Sequence, residues 1–188
     1  MKRVLVFLFL PLFFSAKAQL NDHENGMSSF RIGSGYTHDF PGLNGYSIRA
    51  EYSRSLNDNL QAAFAVQNVN LSGHPRNVSV NEFTKAITVD FNIYFVAFQN
   101  EIHQLRIGTG YSFSFYKIRR SYPVVHSTDE KSTSWPTQEK AGRISGLNIN
   151  GEYAYFLPGS DFSLGLRVSL FKAYDQVSYV GPFIGIRL

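Results

Sequence analysis

Eight charged side chains recur on the polar parity of alternating stretches: Arg31, Arg49, Glu51, Asp90, Arg106, Glu152, Arg167 and Arg187. Five arginines and three acids gathered on one side of a set of strands could form a charged channel, take an anionic guest, or pair with one another. The pairing reading is preferred, because a charge placed inside must find a partner or stay wet.

Conventional catalytic and metal chemistry finds little support. His23, His38, His74, His103 and His126 fall in the lead segment or in connections, and none belongs to a His-x-Ser arrangement. His126-Ser127 and His38-Asp39 come nearest, and a base and nucleophile must meet within about 3 Å. Cysteine is absent, and no His-x-x-x-His or clustered acidic run offers metal-ligand spacing. No cofactor is expected. Gly33-Ser34-Gly35 and Gly108-Thr109-Gly110 superficially match phosphate loops, but both lie inside strands with no following helix, where glycine instead admits a bulky neighbour. Asn70-Leu71-Ser72 and Asn77-Val78-Ser79 match glycan-acceptor triplets, a signal that would be uninformative in a bacterial outer-membrane protein.

The elements that place these residues are strands. In Gln104 to Tyr116, Leu105, Ile107, Tyr111, Phe113 and Phe115 share one parity, while Gln104, Arg106, Gly108, Gly110, Ser112 and Ser114 share the other. A period of two over a dozen residues is a β-strand with one apolar and one polar face. Seven further segments read similarly: Ser28–Tyr36, Gly45–Leu56, Leu60–Leu71, Phe83–Val96, Gly142–Leu157, Asp161–Phe171 and the carboxy-terminal stretch after Gln176. Within Leu60–Leu71 the phase blurs at Asn68 and Val69, where a bulge is expected.

Connections at His38–Asn44, Ser72–Glu82 and Lys117–Ala141 read as the longer set, with turns at Asn57–Asn59, Gln99–His103 and Pro158–Ser160. Lys117–Ala141 reads as the longest irregular stretch and contains the only tryptophan, Trp135. Tyr36, Tyr46, Tyr52, Phe115, Tyr153, Tyr155 and Tyr179 lie near strand ends, where a membrane-interface girdle would place them.

Met1-Lys2-Arg3, the apolar run Val4–Phe14 and the small-x-small site at Ala16 and Ala18 form a secretory signal expected to be cleaved before Gln19. Its loss takes away Lys2, Arg3 and Lys17 and no acid, so the formal charge falls from +4 to +1. Nucleic-acid binding thereby loses its main support. Residues 19–188 fit one domain. An exported chain of this composition enters a membrane only as a closed barrel, because an open sheet edge would leave backbone groups unpaired in lipid.

In its alternating strands, its long and short connections and its Ile186-Arg187-Leu188 ending, the chain resembles the small eight-stranded outer-membrane barrels, the outer membrane protein A-like and X-like group. Leu188 departs from the terminal aromatic that is commoner there. The resemblance implies an all-β, eight-stranded antiparallel up-and-down transmembrane barrel, monomeric, in the bacterial outer membrane. Its partners would be outer-membrane lipid, the barrel-insertion machinery during assembly, and a surface partner reached through Lys117–Ala141. Eight strands leave an interior just wide enough for side chains to fill, so the charged set is expected to be a salt-bridged structural plug. The role expected is non-enzymatic, structural or surface-interactive. The alternatives are a narrow transporter or binder of small hydrophobic or lipid-like molecules, a lipid A-modifying enzyme, and a soluble lipocalin-like barrel with its apolar parity turned inward.

Overall fold

A computed structural model describes residues 27–74, 80–122, 124–125, 133–134, 136–172 and 176–188. The expected signal at 1–18, His23, Asn77-Val78-Ser79, His126-Ser127 and Trp135 lie outside the described residues. The strands are β1 Ser28–Asp39, β2 Asn44–Asn57, β3 Leu60–Gly73, β4 Glu82–Gln99, β5 His103–Ser121, the short β6 Val124–Val125 and β7 Thr133–Ser134, β8 Thr137–Phe156, β9 Phe162–Lys172 and β10 Gln176–Arg187. All except β6 and β7 close into one antiparallel barrel, each strand beside the next, with β10 returning to β1 from Ser29↔Arg187 to Asp39↔Val177. Closure leaves no open edge around the ring, as a spanning sheet requires.

The two parities take opposite environments. Arg106 is fully enclosed, while its neighbour Ile107 is 54% exposed. Phe91, Ile93, Phe113, Leu164, Leu166 and Ile184 are likewise exposed on the outer wall. This inverts a water-soluble protein and suits a barrel whose outer solvent is hydrocarbon. A lipocalin-like barrel needs the reverse placement and is ruled out.

Three connections differ from their sequence reading. His38 and Asp39 belong to β1, and only Phe40–Leu43 turn the chain. Gly42, with φ 104°, supplies the left-handed residue, and the Leu43 amide donates to Asp39 Oδ1 at 2.8 Å. Lys117–Ala141 is not one irregular loop: β5 and β8 stay paired from Lys117↔Ala141 to Ser121↔Thr137, and β6 pairs with β7 beyond them. The long connection is a β-ribbon, because backbone pairing persists where side-chain alternation has lost its apolar half. His103, also read as part of a connection, opens β5.

No bulge occurs at Asn68–Val69, where β3 stays in unbroken register with both neighbours. The register shifts lie instead at Ser55/Asn57 and Val96/Phe98, beside the tight turns.

Candidate functional site

The polar parity delivers its charges to one enclosed layer. Arg31 and Glu51 are register partners across β1 and β2, while Arg106, Glu152 and Arg167 lie in one row across β5, β8 and β9. Glu152 is the hub. Its Oε2 accepts from Arg31 Nη1 at 2.5 Å and Arg106 Nε at 2.8 Å, and its Oε1 bonds with Arg167 Nε. Glu51 is the second hub, paired with Arg106, with Arg167 at 2.9 Å and with Arg49 at 3.2 Å. Asp90 accepts from Arg49.

Several uncharged groups complete the layer. Tyr94 is fully buried, and its hydroxyl lies 3.1 Å from both Glu51 Oε2 and Glu152 Oε1, with one proton to share between them. The Arg106 guanidinium stacks over the Tyr94 ring at 3.9 Å. Arg106 Nη1 also donates to Gln61 Oε1 at 2.9 Å, and Arg31 Nη2 donates to Gln104 Oε1 at 2.7 Å. Arginine suits this layer because its planar fork can serve several acceptors and never loses its charge. Gly108 faces Tyr94 across the β4–β5 ladder, and a Cβ there would lie 2.5 Å from the ring.

Seven of the eight charged residues singled out in sequence therefore meet in one layer. Arg187 does not: it is half-buried at the end where β1 begins and β10 finishes, with its guanidinium 3.4 Å from the centre of the Phe156 ring. Tyr94, Gln61 and Gln104 joined the layer without being singled out, although all three lie on the same parity. Tyr179, expected in the outer girdle, is 4% exposed and points inward.

Toward the loop end the interior changes character. Leu43, Val69 and Leu71 form a buried apolar cluster with Ala86 against it. Above them Arg120 bonds Asp39 at 3.1 Å and lies 3.7 Å from Glu82, joining β5 to the neighbouring strand ends. Between the two ionic tiers lie this apolar cluster and a set of buried neutral polar groups, Asn92, Ser112, Asn148 and Asn150, bonded to one another.

Two of the described histidines bond neighbouring side chains. His103 Nδ1 lies 2.7 Å from the Tyr153 hydroxyl on the outer wall, and His38 Nδ1 lies 2.8 Å from Asn44 Oδ1. His38 does not face Asp39, whose carboxylate turns inward to Leu43 and Arg120. Among the described residues, no cluster of His, Cys, Asp or Glu could hold a metal.

An enclosed ionic core, an apolar outer wall and a closed antiparallel ring define a membrane-spanning eight-stranded β-barrel. Its fold is that of the small outer-membrane barrels. The chain is similar to the outer membrane protein OprG of Pseudomonas aeruginosa, with 10% identity over 87% of this chain and 97% of that one, at a TM-score of 0.57. It is also similar to Ail, the attachment invasion locus protein of Yersinia pestis, solved with the heparin analogue sucrose octasulfate, with 16% identity over 87% and 99% of the chains and a TM-score of 0.56. The N-terminal β-barrel domain of Pseudomonas aeruginosa OprF gives 10% identity, 87% and 98% coverage, and a TM-score of 0.55. No protein-family model matches the chain, and no curated protein matches it in sequence.

Proposed function

We propose that this protein is exported, loses residues 1–18, and serves in the bacterial outer membrane as a non-enzymatic barrel. Its lumen is a structural plug and its working surface is the β5–β8 ribbon. The observation that carries this reading is the double-hub ion-pair layer. Glu51 and Glu152 together engage Arg31, Arg49, Arg106 and Arg167 inside the barrel. Such a layer closes the axial path with groups already committed to one another, and moving one charge would leave the others buried and unpaired. The ribbon stands beyond the apolar belt and presents charged side chains to water. Ail, which shares the fold, was solved in complex with a heparin analogue, a precedent that favours a binding role here.

Transport of small hydrophobic molecules is the second reading. It is favoured by one feature: among the described residues, β8 runs from Thr137 and has no β9 partner above Leu147↔Lys172. Planar-bilayer recording and tip deletion together test the proposal. The purified barrel should give no steady conductance, and deleting 122–136 should abolish surface binding while membrane insertion persists. A stable open channel would refute the plug, and unchanged surface binding by the deletion variant would refute the ribbon role. Altered lipid A on overexpression would restore the enzyme reading.

A further inference from the structure

Lys85 and Lys117 are direct register partners on the outer wall. Like charges placed opposite each other across a ladder repel, so the sequence tolerates a local cost here. The pair is the centre of a larger cationic group. Lys85, Lys117 and Arg119 lie 5.8, 5.9 and 4.9 Å from the centre of one ring, Phe83, and Arg143 lies 5.4 Å from that of Phe115. Glu139 offsets part of this charge by pairing with Lys117 and Arg119. Lys85 and Arg143 have no acidic partner among the described residues. An open groove of about 780 Å³ runs between these side chains, with Tyr46, Asn68 and Asn70 on its far wall.

The level of this group on the barrel decides what it faces. Ile87↔Phe115 and Val89↔Phe113 are the rungs immediately below, all on the same outward parity. From Leu105 to Phe115, β5 rises about 25 Å at about 3.3 Å per residue and a tilt of about 40°, which is the height of the apolar band. Lys85 and Lys117 therefore stand where hydrocarbon gives way to headgroups, at the loop end. A soluble anion would use only the basic part of this surface. A membrane lipid would use both parts, with its acyl chains over Ile87 and Phe115 and its phosphate between the lysines.

We infer that Lys85, Lys117 and Arg143, which line the groove, with Arg119 and the Phe83 ring beside them, bind the phosphate-bearing headgroup of a lipid packed against the outer wall of the barrel. The phosphate offsets the Lys85–Lys117 repulsion, and the aromatic rings fix the cations that receive it. The site rests on the membrane placement proposed above. A variant or wild-type barrel that fails to insert is recognised separately, by losing its compact form in unheated detergent gels.

The test is native mass spectrometry of the whole barrel in neutral detergent, titrated with lipid A, with lipid A stripped of its phosphates, and with inorganic phosphate. Lipid A should bind the wild-type barrel, with the stripped form weaker by roughly tenfold or more. K85Q/K117Q should lose roughly tenfold or more, since each basic residue at a membrane surface contributes on the order of one kcal/mol. K85R/K117R should retain binding. K85Q and R143Q alone, each weakened in part, provide the reading should the double variant not fold. Equal binding of stripped and intact lipid A, or undiminished binding by correctly folded K85Q and R143Q, would overturn the site. Inorganic phosphate competing as well as lipid A would overturn its assignment to a lipid.

Discussion

Arg106 and Glu152 are direct register partners on adjacent strands, and both Nε and Nη2 of the arginine converge on the same carboxylate oxygen, at 2.8 and 2.6 Å. Arg167 flanks Glu152 in register on the other side. The acid is thus held between two guanidinium groups by the strand pairing itself, and the pairing in turn is held by the acid. Position in the sheet and electrostatic partnership are one fact in this barrel.

Removing the hub should cost more than removing any one spoke. Glu152→Gln leaves Arg31, Arg106 and Arg167 short of their shared acceptor, and a broken buried pair costs about 3–5 kcal/mol. Urea unfolding followed by the gel shift of the folded form should show that loss. Arg106→Ala or Arg167→Ala should also destabilise, by leaving an inward acid underpaired. Unchanged unfolding of both arginine variants would contradict the structural plug.

Tyr94→Phe provides a gentler probe of the same layer. It keeps the ring beneath Arg106 and deletes only the hydroxyl shared by Glu51 and Glu152. A loss of about 1–3 kcal/mol is expected, as for a hydrogen bond to a charged group. A cost as large as that of Glu152→Gln would mean that the ring geometry, rather than the carboxylates, organises the core.

Space is as specific as charge. Gly108→Leu should displace Tyr94, because even a Cβ at that position would lie 2.5 Å from the ring. The companion change Gly151→Ala meets nothing within 4 Å and should be tolerated far better. The two variants, compared by refolding yield into micelles, should separate clearly; equal yields would show that the ring has room to move.

The ribbon carries a shifted carboxyl outside the membrane span. Hydrogen bonds from Lys117 and then Arg119 hold the Glu139 carboxyl below its usual range. A depressed folded value means that this contribution is present above the ordinary carboxylate value of about 4.3 and is lost as pH falls through the lower folded value. The Glu139 carboxyl carbon shift, followed by NMR on acidification, should titrate below that ordinary value, and K117Q should raise its midpoint. A wild-type midpoint at or above about 4.3 would contradict the pairing.

The parity of Arg106 against Ile107 was legible because lipid and lumen impose opposite chemistry on adjacent residues. That rule reaches only as far as the membrane does. At Asn68–Leu71 the alternation continues with its sense reversed: Val69 and Leu71 turn inward to Leu43, and Asn68 and Asn70 face out. A strand leaving hydrocarbon therefore resembled a bulge. The ribbon hid for a related reason, since Lys117 and Arg119 occupy the outward parity that carried Phe113 and Phe115 lower down. Tyr179 was misplaced because residue type, without its strand's parity, says nothing about direction; Phe183 on the same parity also points inward. The partners of each charge were beyond reading, because they depend on which strands lie opposite across the lumen.

The most direct measurement of the account as a whole is electrophoresis of the outer-membrane fraction with and without boiling. A closed barrel with its ionic layer inside and its apolar wall in lipid should appear in that fraction and migrate faster unheated, because detergent alone does not open it. Recovery from the soluble periplasm, with identical migration before and after boiling, would contradict the account.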